Sequence, residues 1–231
     1  DEVGTVWVAV HFGIRGLGFA IAQDFLSLSQ GGRWGERPGS RDVPLALDEP
    51  LGQAYWALMQ LAGRYAAVGR NWVVDKVMEI MGARQDGVRV NVPHNFAWRE
   101  AHDGEEWVVV RKGATPAAPG QLGFVGGSMG DDAVLLRGAV VDPGADPETA
   151  QAQREALCST VHGAGRVIGR REALGRSRAR GGRRARISEA EMDAWLARRG
   201  VVRRGGGVDE SPQVYRRLPR VLEAQGRLTL L

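Results

Sequence analysis

The chain has 231 residues, of which 43% are hydrophobic and 25% are charged, and its formal net charge is +4. This length suits one large domain or two small ones, and no apolar run reaches the roughly 18 to 20 residues of a membrane span. The single cysteine, Cys158, excludes an internal disulfide framework, so we expect a soluble, cytoplasmic protein with no membrane partner.

Positive charge is concentrated in the C-terminal third of the chain. Residues 166–204 contain thirteen arginines and four acidic residues. A one-sided basic patch attracts polyanions, and nucleic acid is the usual one. The alternative is a solvated segment rich in arginine and glycine, and we predict a mobile loop over residues 171–187.

The N-terminal part is predicted to be one strand followed by helices. Residues 6–10 form a β-prone apolar run that ends at His11, and a glycine-rich stretch with Arg15 follows it. A histidine at a strand end beside glycines and an arginine favours a metal ligand next to a phosphate contact, although a packed histidine fits equally well. Helical spacing of apolar residues predicts helices at residues 19–28, 49–68 and 71–81.

From residue 87 onward the pattern favours strands joined by turns. We predict strands at residues 88–93, 106–114 and 133–137, with a hairpin turn at Asp103-Gly104. A loop and then a helix are predicted over residues 142–155. Ser188 and Glu191 form a capping box that begins a further helix, and Pro212 suits the first turn of another.

The stretch His162-Gly163-Ala164-Gly165-Arg166 combines a nucleophile with groups that bind anions. Its two glycines let the backbone reach positive φ and let a phosphate approach the main chain. Arg166, and Arg170 one turn further on, would present guanidinium groups to the same anion. The pattern favours phosphate chemistry, and a histidine in a tight turn is the alternative.

Six motifs occur in one order along the chain, and together they resemble the RtcB family of RNA ligases, which depend on GTP and manganese. The motifs are His11 with Gly13-Ile14-Arg15-Gly16-Leu17-Gly18, His94-Asn95, Arg111-Lys112-Gly113-Ala114, Gly127-Ser128-Met129-Gly130, His162-Gly163-Ala164-Gly165-Arg166, and Asp209-Glu210-x-Pro212-x-x-Tyr215. The resemblance implies an α+β fold of mixed sheets with flanking helices. It also implies that residues 1–231 are the C-terminal portion of a larger ligase domain.

The resemblance implies a ligase that joins an RNA 3′-phosphate or 2′,3′-cyclic phosphate to a 5′-hydroxyl, as in tRNA splicing and RNA repair. His162 would attack the α-phosphate of GTP and carry GMP, while His11 and His94 would bind Mn²⁺, with two ions in the complete site. The nucleotide would contact Asn95, Gly127, Ser128, Met129, Gly130, His162, Gly163, Ala164, Gly165 and Tyr215. RNA or nucleotide phosphate would contact Arg15, Lys112, Arg166 and Arg170.

Some positions depart from the family pattern and leave two alternatives open. The resemblance implies an N-terminal portion with further metal ligands, supplied in cis or in trans. Ile14 and Ala133 stand where serines are usual, Gly126 replaces a proline, and Arg216 replaces a lysine. One alternative is therefore a non-catalytic or diverged homologue that binds RNA, and the other is a repair enzyme that uses another nucleotide or end chemistry.

Overall fold

A computed structural model of the chain describes residues 5–175, 187–226 and 228–230. The fold combines helices with small antiparallel sheets, which confirms the α+β class. Every pairing between named strands in the described ranges is antiparallel. The chain divides into two compact units, residues 1–93 (unit 1) and 94–231 (unit 2).

Unit 1 is built on two helices, α1 (Gly16–Ser29) and α2 (Pro50–Met81). The prediction of α1 is confirmed, and its Phe25 is buried against the rings of Trp34 and Tyr55, at centroid distances of 5.7 and 5.1 Å. Pro50 lies in the first turn of α2, where its missing N–H costs nothing. Gly82 ends α2 in the left-handed conformation with φ 61°.

The predicted break between two helices near residue 70 is wrong, because α2 is one helix of 32 residues. A glycine inside a helix costs only about 1 kcal/mol relative to alanine, so Gly69 weakens α2 without ending it. The next turn is held from outside the helix: Asn91 accepts a hydrogen bond from Arg70 Nε at 2.7 Å and donates to Asn71 Oδ1 at 2.8 Å. These bonds offset the poor helix propensity of the segment.

The strands predicted at residues 6–10 and 88–93 are also wrong. Neither segment pairs with another strand in the described part of the chain, and Val6 and Trp7 are 69% and 51% exposed. A β-prone sequence becomes a strand only when a neighbouring strand satisfies its N–H and C=O groups.

The described residues of unit 2 form three small sheets. Strands β1 (Asn95–His102), which was not predicted, and β2 (Glu105–Lys112) form a hairpin at the predicted turn, whose residues Asp103 and Gly104 have φ 53° and 85°. Strand β3 (Ala114–Pro116) pairs with β6 (Ser159–Val161). Strands β4 (Leu122–Val125), β5 (Val134–Gly138) and β7 (Thr229–Leu230) form the third sheet in the order β4-β5-β7.

Short helices flank these sheets in unit 2, and several of them begin where the sequence predicts. Asp146 caps α3 (Pro147–Glu155) by accepting a hydrogen bond from Thr149 N, and the predicted capping box of Ser188 and Glu191 begins α5 (Glu189–Arg198). Pro212 opens a 3₁₀ turn, Pro212–Val214, which precedes α6 (Leu218–Glu223). The main hydrophobic cluster comprises Val125, Leu136, Ala164 and Leu218.

The predicted mobile loop at residues 171–187 coincides only in part with the described chain. Its first residues belong to helix α4 (Arg170–Ala173), while residues 176–186 lie outside the described ranges. Within those ranges, no helix combines the length and the hydropathy that crossing a bilayer requires.

Candidate functional site

The candidate site is organised around Gly113, where two pairs of strands meet. In the hairpin, Asn95 lies opposite Lys112, and the next residue, Gly113, donates its N–H to the carbonyl of His94 at 3.0 Å. Beyond Gly113, Ala114 pairs with Val161 in the β3–β6 ladder, so His162 follows directly on the partner strand. The registers of the two ladders therefore bring together His94, Asn95, Lys112 and His162, four of the predicted site residues.

The imidazole of His162 is fixed in one tautomer by the backbone. Its Nδ1 lies 2.8 Å from the carbonyl oxygen of Gly113. A carbonyl oxygen can only accept a hydrogen bond, so Nδ1 carries the proton, and in the neutral ring Nε2 keeps its lone pair. His162 is only partly buried, and Nε2 is therefore the nitrogen that can act as a nucleophile.

His94 lies beside His162, as the sequence motifs led us to expect. The centroids of the two rings are 4.5 Å apart, with 31° between their planes. Gly113 has φ 76°, a left-handed conformation that favours glycine, and a Cβ there would lie 3.7 Å from the His162 ring. Glycine at position 113 therefore lets the backbone pass from β2 to β3 without strain beside the His162 ring.

The glycine-rich loop Gly126–Gly130 packs on the His162 segment. Gly126 bridges to Gly163 in parallel and accepts a hydrogen bond from Ala164 N at 3.1 Å. A Cβ on Gly163 would lie 2.9 Å from the carbonyl oxygen of Gly126, so the two backbones approach as closely as glycine allows. Gly127, Ser128, Met129 and Gly130, predicted to contact nucleotide, therefore follow directly after the residue that contacts Gly163 and Ala164.

Side chains at the C-terminal end of α5 and just before α6 fix the far end of this loop. Trp195 Nε1 donates to the carbonyl of Met129 at 3.2 Å, and Arg199 donates to that of Gly130 at 2.6 Å. The carboxylate of Asp131 is 2% exposed and forms an ion pair with Arg217. Arg199 and Arg217 both stack on the Trp195 ring, at 4.7 and 4.6 Å from its centroid. The loop is therefore preorganised rather than free.

We expect Gly127→Ala to disturb this loop, because a Cβ there would lie 2.3 Å from the carbonyl oxygen of Asp132. The overlap involves backbone and should lower the free energy of unfolding by about 1 to 3 kcal/mol, measured by urea denaturation. Gly126→Ala is the matched control, since its Cβ would only touch the Phe124 ring at 3.6 Å. Equal stabilities for the two variants would contradict this account of the loop.

The predicted phosphate ligand Arg166 is already engaged with protein groups. Its guanidinium donates to Tyr215 Oη at 3.0 Å and to the carbonyls of Ile168 and Asp209 at 3.2 and 2.5 Å, and it stacks over the Tyr215 ring. Tyr215 in turn donates to the Glu210 carboxylate. The proposed contact of Arg166 with phosphate would therefore have to share its donors with these carbonyls.

Tyr215 and Arg170 belong to the same group of contacts. Burial, together with the Glu210 carboxylate, raises the pKa of the Tyr215 hydroxyl, so this group stays protonated and donates. Arg170 pairs with Glu210 at 2.7 Å, and its side chain is 67% exposed. Arg170 is therefore better placed than Arg166 to meet an incoming phosphate.

His11 and Arg15, the two predicted site residues in the N-terminal part, belong to unit 1. Both are exposed, and Arg15 has φ 47° at the start of α1. Within the described ranges, no group of three or more His, Cys, Asp or Glu side chains could hold a metal ion. Of the two predicted metal ligands, His94 lies beside His162 in unit 2 and His11 belongs to unit 1.

The ion pair between Arg111 and Glu100 was not predicted from the sequence. The side chain of Arg111 is 2% exposed and donates to both carboxylate oxygens of Glu100, at 2.6 and 2.8 Å. It also donates to Ser159 Oγ and the Leu157 carbonyl, both at 2.8 Å, and lies over the Trp98 ring. The sequence feature that could have indicated the burial of Arg111 is the period-two alternation of side chains along β2, which places Val109 and Arg111 on the same, buried face.

Stability should decline in acid because of this pair. Hydrogen bonding from Arg111, with a smaller contribution from His102, lowers the pKa of the Glu100 carboxyl below its ordinary value. A carboxyl with a lowered folded-state pKa stabilises the fold fully above its unfolded pKa, near 4.3, and loses that contribution as the pH falls through the lowered value.

We therefore expect the melting temperature of the wild-type chain to fall below pH 4.5 more steeply than that of Glu100→Gln. Circular dichroism melts across this range provide the measurement. Parallel pH profiles for the two proteins would show that Glu100 does not contribute in this way.

Comparison with known proteins assigns the family. The family model described as tRNA-splicing ligase RtcB matches residues 2–231. The RNA-splicing ligase RtcB of Escherichia coli K12 is 30% identical over an alignment that covers 99% of this chain and 54% of the relative. The Mycobacterium bovis protein of the same name is 32% identical, over 96% of this chain and 52% of its own length.

An archaeal relative gives the same result. The tRNA-splicing ligase RtcB of Thermococcus kodakarensis is 30% identical over 95% of this chain and 48% of its own length. The chain thus spans about half the length of the curated relatives that it matches. A family match over nearly every residue, on a fold that brings His94, His162 and the Gly126–Gly130 loop together in unit 2, shows that this chain belongs to the RtcB family of RNA-splicing ligases.

Proposed function

We propose that this chain carries the nucleotide-transfer histidine of an RNA ligase that joins an RNA 3′-phosphate or 2′,3′-cyclic phosphate end to a 5′-hydroxyl. The observation that supports it most is the hydrogen bond from His162 Nδ1 to the Gly113 carbonyl, which leaves Nε2 as the nucleophile. GTP is the proposed nucleotide and RNA the proposed acceptor, in keeping with relatives named as RNA-splicing ligases.

In the first step, His162 Nε2 attacks the α-phosphorus of GTP. A P–N bond forms, the bond between the α-phosphorus and its bridging oxygen breaks, and pyrophosphate leaves. The ring becomes positively charged as its second nitrogen is phosphorylated, and the Gly113 carbonyl, 2.8 Å from Nδ1, stabilises that charge. Gly163 and Gly165 would let the phosphate approach the main chain.

In the later steps, an RNA 3′-phosphate oxygen attacks the same phosphorus and the P–N bond breaks, which returns the electron pair to Nε2. The 5′-hydroxyl of the second RNA end then attacks the RNA 3′-phosphorus and displaces GMP. A cyclic phosphate end must first be opened to a 3′-phosphate by water. Lys112, Arg15 and Arg170 are proposed to bind RNA phosphates, with Arg166 and Tyr215 shaping the nucleotide side.

Manganese, proposed as two ions in the complete site, would supply Lewis-acid stabilisation of the transferring phosphoryl group. His94 and His11 are the proposed ligands from this chain. Because the described residues offer no three-ligand cluster, the remaining ligands are proposed to come from the other portion of the ligase, in cis or in trans.

The test is covalent labelling with α-³²P-GTP and Mn²⁺. The chain is assayed alone and together with the part of the Escherichia coli relative that its match leaves uncovered. We expect an acid-labile, alkali-stable label on this chain in the mixture, as a phosphoramidate requires. An unlabelled chain in the mixture would rule out the nucleotide-transfer role.

A second candidate function is an RNA-binding homologue without ligase activity. It is favoured by the lack of a three-ligand cluster in the described ranges and by the exposed cations Lys112, Arg216 and Arg220 in unit 2. This candidate predicts salt-sensitive RNA binding that survives His162→Ala and is not accompanied by labelling. Competition by ATP or dGTP would identify a ligase that uses another nucleotide.

A further inference from the structure

Helix α2 carries a continuous row of exposed apolar side chains, which we call the apolar stripe. The stripe comprises Leu61, Tyr65, Val68 and Trp72, whose exposed fractions are 54%, 67%, 67% and 60%. Their spacing of four, three and four residues places them on one face of the helix, in the pattern of a seam between packed helices. Ala57 and Ala54, one and two turns before Leu61, are exposed as well.

The stripe ends where charged residues begin, and those residues are already paired within unit 1. Lys76 forms an ion pair with Glu79, and Asp75 forms one with Arg89. The helix therefore presents an apolar face bounded by a polar end with satisfied charges. A contiguous apolar surface of this kind marks an interface rather than a solvated helix face.

Few of the described residues of unit 1 are buried. Among residues 5–93, the fully buried ones are Phe25, Ser27 and Gly52. Outside the stripe, Val6, Trp7, Leu17, Phe19 and Trp34 are each more than half exposed. A unit of this size ordinarily encloses a core of many apolar side chains, and a surface resembling a core cut in half is the signature of an obligate interface.

We propose that the apolar stripe is the docking surface for the portion of an RtcB-family ligase that lies outside the alignment with this chain. The chain covers 54% of the Escherichia coli relative while that alignment uses 99% of its own residues, so the relatives have a large additional portion. An obligate apolar interface fits that portion better than a transient partner. The proposal rests on the ligase function above and specifies where its two portions meet.

The docking experiment uses the whole 231-residue chain and the uncovered portion of the Escherichia coli relative as a separate polypeptide. Sedimentation velocity should show a monomer for the chain alone and a one-to-one complex in the mixture. The double variant Leu61→Glu/Val68→Glu should weaken the complex by about tenfold or more, since it places two charges in the seam. Gln53→Glu, an exposed position on another face of α2, is the matched control and should bind as the wild type does.

The melting temperature of the double variant tests whether the apolar stripe is a free surface or part of the packed core of the chain. Because the stripe is exposed in the free chain, the double variant should melt at the wild-type temperature. A marked drop would mean that the stripe is packed within the free chain and would overturn the proposal. So would the absence of a complex, an undiminished complex with the double variant, or a wild-type dimer that this variant dissociates.

The docking result can be distinguished from failure of the ligase proposal. A complex that depends on the stripe but carries no label on His162 would contradict nucleotide transfer and leave the docking surface established. A labelled mixture in which the double variant is labelled as well as the wild type would contradict docking at the stripe and leave the ligase proposal standing.

Discussion

His162→Asn is expected to reduce covalent GMP labelling by about 10³-fold or more, because the amide that replaces the imidazole has no nucleophilic nitrogen. Asparagine can place its side-chain N–H near the position of His162 Nδ1, which contacts the Gly113 carbonyl, so the strand crossing should survive the substitution. The measurement is labelling of this chain by α-³²P-GTP, with the complementary ligase portion present.

The matched control is His102→Gln. His102 lies on the β1–β2 hairpin beside the site, and its ring contacts Glu100 at 2.9 Å and is 13% exposed. This variant should keep its label even if it loses some stability. Equal labelling of the His162 and His102 variants would place the nucleotide on another residue.

Arg111→Ala is expected to produce the largest loss of stability, about 3 to 5 kcal/mol in the free energy of unfolding. The substitution removes the main partner of the Glu100 carboxylate. It also removes the hydrogen bonds that Arg111 donates to Ser159 Oγ and the Leu157 carbonyl, which leaves that carbonyl only the bond from Ser159 Oγ at 3.1 Å. It also removes the cation that lies over the Trp98 ring. Urea denaturation of the purified variant provides the measurement.

Arg99→Ala on the same hairpin is the control for this prediction. Arg99 pairs with Glu106 at 3.0 Å, and the two side chains are 48% and 68% exposed, so the pair is screened by water. Such surface pairs contribute about 0 to 1 kcal/mol. If the Arg111 and Arg99 variants were equally stable, the buried network could not be what joins β1, β2 and β6.

The elements predicted correctly from the sequence are those specified by local signals. The Asp103-Gly104 turn specifies its hairpin, and Ser188 with Glu191 specifies the start of α5. The errors arose in segments whose secondary structure depends on contacts with residues that are distant in sequence. The apolar run at residues 6–10 lacks a partner strand in the described ranges, and the segment after Gly69 remains helical because Asn91 holds it.

The motifs that contribute to the site could be predicted from the sequence, but the arrangement of their side chains and backbone could not. The histidines and glycine loops were identified from their order, yet the tautomer of His162 depends on a β3–β6 register between segments more than forty residues apart. Trp195 and Arg217, which hold the Gly126–Gly130 loop, carry no sequence signal for that role. The predicted manganese ligands and phosphate contacts stay predictions.

The most direct test of the central claim is to identify the atom that carries the nucleotide. Nuclear magnetic resonance of ¹⁵N-histidine-labelled chain, after reaction with GTP and Mn²⁺ beside the complementary portion, would detect coupling between phosphorus and a ring nitrogen. The geometry predicts coupling to Nε2 of His162, with Nδ1 still protonated toward the Gly113 carbonyl. Coupling to Nδ1, or a phosphoramidate on Lys112 instead, would contradict it.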